Sequence, residues 1–122
     1  MKANEVRVGN YVKYENRIYQ IDTIAKEFPT LNTSEFGIGI VDWNNLQPIE
    51  ITENLLIKLG FVKNPYNKYL SYDYYFNDKM IFYILTLNGN YKVGNCDYPI
   101  KFLHQLQNIF FAKFNREIFF CL

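Results

Sequence analysis

The chain has 122 residues, of which 49% are hydrophobic and 19% aromatic, enough apolar surface for one compact domain or two small lobes sharing an interface. Thirteen basic residues nearly balance twelve acidic ones, so no general positive field draws it to duplex nucleic acid or to an anionic membrane. Two cysteines, Cys96 and Cys121, stand outside any CxxC or Cys/His cluster, which argues against a disulfide framework or a zinc site, and no cofactor is expected.

The first residues, Met1-Lys2-Ala3-Asn4-Glu5-Val6, lack the apolar stretch of a secretory signal. The longest apolar run, residues 80–85, is far too short to span a bilayer, so a cytoplasmic protein is expected. Residues 8–14 alternate as a strand does, the polar Glu15-Asn16 turns the chain, and residues 17–24 return, which predicts a β-hairpin. Residues 25–35, with a proline and several Thr, Asn and Ser positions, read as a loop. Phe36, Ile38 and Ile40 then alternate with Gly37 and Gly39 in a third strand, whose bare face leaves room for a ring such as Trp43 or Tyr11. A short strand over residues 46–51 is expected after the Asp42-Trp43-Asn44-Asn45 turn. Together these short strands predict a small SH3-like β-barrel in residues 1–51.

Residues 53–59 carry the marks of a helix: Thr52 as N-cap, Glu53 in the first turn, Ile51 placed to staple onto Leu56, and Gly60 as the stop. After Asn64-Pro65, residues 69–76 and 79–87 are two β-rich runs joined at Asn77-Asp78. Asn88-Gly89 is the strongest hairpin signal in the chain and leads into residues 91–93, completing an antiparallel meander. Pro99 opens an amphipathic segment in which Phe102, Leu103, Leu106, Ile109, Phe110 and Phe114 recur at helical spacing, predicting a long helix across the meander with Asn115 as its C-cap. Residues 117–122 alternate as a last strand. The expected architecture is α+β: a barrel lobe over residues 1–51 and an α+β lobe over residues 52–122, packed as one compact unit.

Chemistry-bearing groups are sparse. The lone histidine, His104, would need Cys96 or one of the two serines, Ser34 and Ser71, beside it for nucleophilic catalysis, and nothing local places one there. Helical spacing puts His104 opposite the apolar stripe, as a surface or hydrogen-bonding residue. Asp73 and Asp78 flank a hairpin where exposed acids are routine, and no carboxylate set has metal-ligand spacing. Gly37-x-Gly39 lacks the third glycine and the helix start of a phosphate cradle. Two features stand out against this background. Tyr66, Tyr69, Tyr72, Tyr74 and Tyr75 crowd one stretch beside Lys63 and Lys68; strand alternation would send some rings into the core and leave others on a partly solvated face. The helix face of His104, Gln105, Gln107, Asn108 and Phe111 carries a large ring and almost no charge, so a covering surface is expected, with the N-terminal strands the nearest candidate.

Three stretches carry a likeness. Arg7-Val8-Gly9-Asn10 near the start, Pro48-Ile49-Glu50-Ile51-Thr52-Glu53 with Leu59-Gly60-Phe61 in the centre, and Leu103-His104-Gln105-Leu106-Gln107-Asn108-Ile109-Phe110-Phe111 near the end together resemble a family of small, functionally uncharacterised proteins of bacteria and bacteriophages, with an Arg-x-Gly-Asn strand and a His-x-Leu-Gln-Asn helix. The resemblance implies a setting among phage or mobile-element accessory proteins and no particular activity.

The leading expectation is therefore a non-catalytic binding protein, one that counters a host defence by sequestering a nucleotide-like signal or blocking a host protein. Its candidate ligand-binding residues are Trp43, Tyr75, His104 and Asn108 for stacking and polar readout, with Arg7 or Lys101 meeting an anionic group. A single-stranded nucleic-acid binder is the alternative, requiring Lys63, Lys68, Lys79 and Lys92 on one face. A small enzyme using His104 comes third. Self-association is left open.

Overall fold

The computed structural model describes residues 1–24, 29–33, 37–65, 70–94 and 98–118. The chain is α+β, with two antiparallel sheets and two α-helices among the described residues. Contacts divide it into two compact units, one of Met1–Glu50 with Phe102–Glu117 and one of Ile51–Lys101 with Ile118. No helix among the described residues is long and apolar enough to cross a membrane.

The first unit is built on a four-stranded sheet in the order β1 (Tyr11–Tyr14), β2 (Arg17–Ile24), β3 (Pro29–Thr33) and β4 (Gly37–Ile40). Glu15 and Asn16, with φ of 48° and 64°, make the two-residue turn between β1 and β2, the positive-φ pair that matches the twist of a tight hairpin. β3 occupies ground where the sequence predicts a loop: Pro29 stands at its first position, where a missing N–H is tolerated, and Thr30 and Leu31 pair with both neighbours. Phe36 lies outside the described residues. No pairing among the described residues joins β4 back to β1. Val12, Ile21, Leu31, Trp43 and Leu46 form the core, with Val6, Tyr14, Tyr19, Ile24 and Val41 packed against it. No strand forms over residues 46–51. Pro48 removes a donor there, and only isolated bridges remain, Lys13 with Gln47 and Glu50 with Phe102.

α1 (Glu53–Lys58) opens the second unit and starts as predicted, with Leu55 N–H donating to Thr52 Oγ1 at 3.2 Å and Gly60 at φ 98° closing it. A five-stranded sheet follows in chain order: β5 (Val62–Asn64), β6 (Ser71–Phe76), β7 (Lys79–Leu87), β8 (Asn90–Val93) and β9 (Tyr98–Ile100). The expected meander is present and is extended by β5 and β9. Pro99 therefore sits in an edge strand rather than opening a helix, again a place where its missing N–H does no harm. Tyr72, Phe82, Ile84 and Val93 are buried on one face, where Phe61 meets Tyr74 and Phe82 at ring-centroid distances of 5.3 and 6.3 Å.

α2 (Leu103–Phe114) belongs to the first unit and not to the meander. Gln105 Oε1 accepts from Phe102 N–H at 3.0 Å at its start, and Asn115, in the left-handed region at φ 52°, ends it. Leu103, Leu106 and Phe110 are fully buried, as the apolar stripe requires, but so are Gln107 and, at 5% exposure, His104. The placement of His104 at the surface is thus corrected. Of the last strand expected over residues 117–122, Glu117 and Ile118 are not in a strand and the remainder lies outside the described residues.

Candidate functional site

The Arg-x-Gly-Asn turn and the Gln107-Asn108 pair of α2 interlock within the first unit. Asn10 N–H donates to Arg7 O at 3.0 Å and Arg7 N–H to Asn10 Oδ1 at 2.7 Å, closing a turn whose third residue, Gly9, has φ 94°. That conformation favours glycine, and a Cβ at Gly9 would also meet Glu117 Oε1 at 3.2 Å. Gln107 Oε1 accepts from Tyr11 N–H at 2.8 Å and its Nε2 donates to Gly9 O at 3.2 Å, while Asn108 Oδ1 accepts from Asn10 Nδ2 at 2.8 Å and from Arg7 Nε at 3.2 Å. The Arg7 guanidinium pairs with Glu117 and lies 4.3 Å from the centre of the Phe111 ring. The uncharged helix face is covered, as expected, by the N-terminal residues. Arg7 and Asn108, expected at a ligand, are engaged with each other and with the fold.

His104 stacks on Phe102 with ring centroids 5.8 Å apart and planes 10° from parallel. Its Nδ1 is buried with no hydrogen-bond partner. Burial lowers its pKa below the ordinary histidine value, with Glu5 acting in the opposite sense. Cys96, the thiol considered beside it, lies outside the described residues. Trp43 is buried at 8% exposure in the first unit's core, and its carbonyl accepts from the Met1 ammonium at 3.3 Å. Lys101 is exposed in the second unit, where its carbonyl accepts from Ile51 N–H.

Tyr75 has a different setting. Along β6 the side chains alternate: Tyr72 is buried on the core face and Tyr74 reaches Phe61, whereas Ser71, Asp73 and Tyr75 take the other face. Core and surface thus share the tyrosine-rich stretch, as alternation predicts; Tyr66, Lys68 and Tyr69 lie outside the described residues. A register shift between Tyr74 and Tyr75 sets Tyr75 opposite Met80, and both are nearly half exposed. Asn64, Asp73, Tyr75, Met80 and Tyr83 line an open pocket of about 500 Å³.

Asp73 is the residue that sequence reasoning missed. Expected as an exposed hairpin acid, it lies inside β6 at 3% exposure, opposite Val62 on one side and Tyr83 on the other. Ser71 Oγ donates to Asp73 Oδ1 at 3.2 Å and Asn64 Nδ2 to Oδ2 at 3.1 Å. Both partners are neutral, and among the described residues its carboxylate is paired with no cation. A carboxylate usually needs a cationic partner or several donors to be buried at low cost, so two neutral donors leave Asp73 with acceptor capacity on each oxygen. The only sequence signal was the Ser-x-Asp spacing, which puts two polar groups on one face of a strand whose other face is aromatic.

Among the described residues no group of three His, Cys, Asp or Glu side chains is gathered to hold a metal ion. Compared with family models, with curated proteins and with solved structures, the chain matches none.

Proposed function

We propose that this chain is a non-catalytic binding protein and that its ligand face is the side of the five-stranded sheet that carries Asp73, Tyr75, Met80 and Tyr83. The observation that supports this reading is a buried carboxylate with spare acceptor positions at a pocket edged by exposed Tyr75 and Met80. Side chains that could stack and a carboxylate that could orient a ligand meet there. The SH3-like reading of the first unit belongs with this proposal, supported by four short antiparallel strands around one small core. So does the setting among phage or mobile-element accessory proteins, which rests on the three stretches quoted above and would make the ligand a host signal or a host protein.

A thermal-shift panel of nucleotides, amines, guanidines and short peptides, run on the native chain and on Tyr75→Ala, tests the ligand face. Stabilisation by a panel member that disappears in Tyr75→Ala is the expected result. Stabilisation that survives in Tyr75→Ala would move the ligand elsewhere, and none with any member would remove the sequestering version. The nucleic-acid alternative needs Lys63, Lys68, Lys79 and Lys92 on one face; Lys63 closes an ion pair with Glu53 at 2.8 Å and Lys68 lies outside the described residues, and oligonucleotide affinity that collapses with added salt is the result that would favour it.

A further inference from the structure

The pocket's own electrostatics narrow the ligand class. Among the described residues its lining holds one carboxylate, Asp73, and neither lysine nor arginine, so a phosphate group would meet repulsion from that carboxylate and a cation attraction. Asp73 accepts one hydrogen bond on each oxygen, Oδ1 from Ser71 and Oδ2 from Asn64, and these two bonds hold the carboxylate plane while leaving an acceptor position on each oxygen. A carboxylate with an acceptor position left on each oxygen can take the forked N–H pair of a guanidinium, which also stacks on aromatic faces and sheds water more readily than an ammonium does. Tyr75, exposed at the rim, and Tyr83, beside Asp73 across the β6–β7 pair, supply such faces, and the Met80 thioether adds a polarisable wall.

We infer that the Asp73 pocket binds a guanidinium group, either of a free small molecule or of an arginine side chain presented by a partner protein. This inference rests on the ligand-face reading above and replaces its nucleotide version with a cationic one. Asp73 is the charge partner, Asn64 and Ser71 are positioning residues that fix its plane, and Tyr75 and Tyr83 cover the flat faces of the bound group.

The test is a backbone amide NMR titration of the whole chain with four probes: agmatine, an arginine-containing pentapeptide with blocked ends, the same peptide with citrulline for arginine, and guanosine monophosphate. Agmatine and the arginine peptide should shift the amides of Asp73, Tyr75, Met80 and Tyr83, and the neutral citrulline peptide should bind at least about tenfold more weakly. Tighter binding of the peptide than of agmatine would identify a protein partner, and the opposite order a free metabolite. Asp73→Asn should abolish the preference for arginine over citrulline. Because that variant alters a buried site, Tyr75→Ala serves as the second: its exposed ring can be removed without unfolding the sheet, and arginine affinity should fall several-fold. Equal binding of the arginine and citrulline peptides overturns the inference, as does a failure of both cations to shift these amides. Shifts of the same amides by guanosine monophosphate alone would overturn the cationic class while leaving the ligand face standing.

Discussion

Asn10 Nδ2 donates to Asn108 Oδ1 at 2.8 Å, tying together residues 98 positions apart in the chain. The same oxygen accepts Arg7 Nε, and the adjacent Gln107 spans Tyr11 N–H and Gly9 O. Amide side chains suit this task because each offers donors and acceptors at once, so the helix can satisfy both the N–H and the C=O of an irregular turn. The register of α2 is thereby fixed. A rotation by one residue, about 100°, would break every one of these bonds together.

Gln107→Ala tests how much the fold depends on that interlock. Gln107 is fully buried, and its loss removes its hydrogen bonds with Tyr11 N–H and Gly9 O while opening a void beside Gly9. Two lost hydrogen bonds together with a truncated buried side chain are expected to cost about 2–4 kcal/mol. Urea denaturation should show the midpoint falling with little change in slope; a variant as stable as the parent would mean that water replaces the amide without loss.

His104 predicts a pH dependence with a definite sign. Burial depresses its pKa below 6.5, so the folded state holds the neutral imidazole, while the unfolded chain takes up a proton at its ordinary value. The unfolded state therefore binds the extra proton first as the solution is acidified. Stability from this group is complete above about pH 6.5 and falls as the pH drops below it toward the lower folded pKa. Glu5, which favours the charged form, moderates the fall. In His104→Phe, which keeps a ring against Phe102 and removes the unpartnered Nδ1, the loss between about pH 7 and about pH 5 should shrink, as read from urea midpoints at the two values. An identical acid loss in parent and variant would assign it to other groups.

Turns were the most legible part of the fold because their chemistry is local. Glu15-Asn16, Asn77-Asp78 and Asn88-Gly89 all have positive φ at both positions, and each joins the strands its sequence predicts. β5 and β9 were not legible: each is three residues long, too short to display a period of two, and β9 contains Pro99. The covered face of α2 was legible, because a large ring and almost no charge on one side of a helix call for a partner. The burial of His104 was not, since a helical wheel sets it opposite the apolar stripe and only the packing of the first unit removes it from solvent. Asp73 was misread for the matching reason, since its donors come from Ser71 two residues away and from Asn64 on a strand that local pattern does not reveal.

The Lys63–Glu53 ion pair offers a contrast with these buried contacts. Its atoms approach to 2.8 Å, but both side chains are nearly half exposed. Water screens such a pair and the long side chains lose freedom in making it, so Lys63→Ala should change stability by no more than about 0.5 kcal/mol. A loss several times larger, and sensitive to added salt, would show that the pair organises the α1–β5 junction.

Gly94→Ala probes the wall of the proposed pocket from behind. A Cβ at Gly94 would overlap the Tyr83 ring at Cε2, Cζ and Cδ2, so the ring must move if the methyl is added. Tyr83 lines the pocket beside Asp73, and its displacement should disturb the cover over a bound guanidinium as well as the packing of β7. Overpacking of this kind costs about 1–3 kcal/mol, and guanidinium affinity should fall with it. A double-mutant cycle isolates the cause: if the ring is what the methyl strikes, Gly94→Ala should cost much less in a Tyr83→Ala background than in the native chain. Equal costs in both backgrounds would place the strain in the backbone at Gly94 and remove Tyr83 from the account.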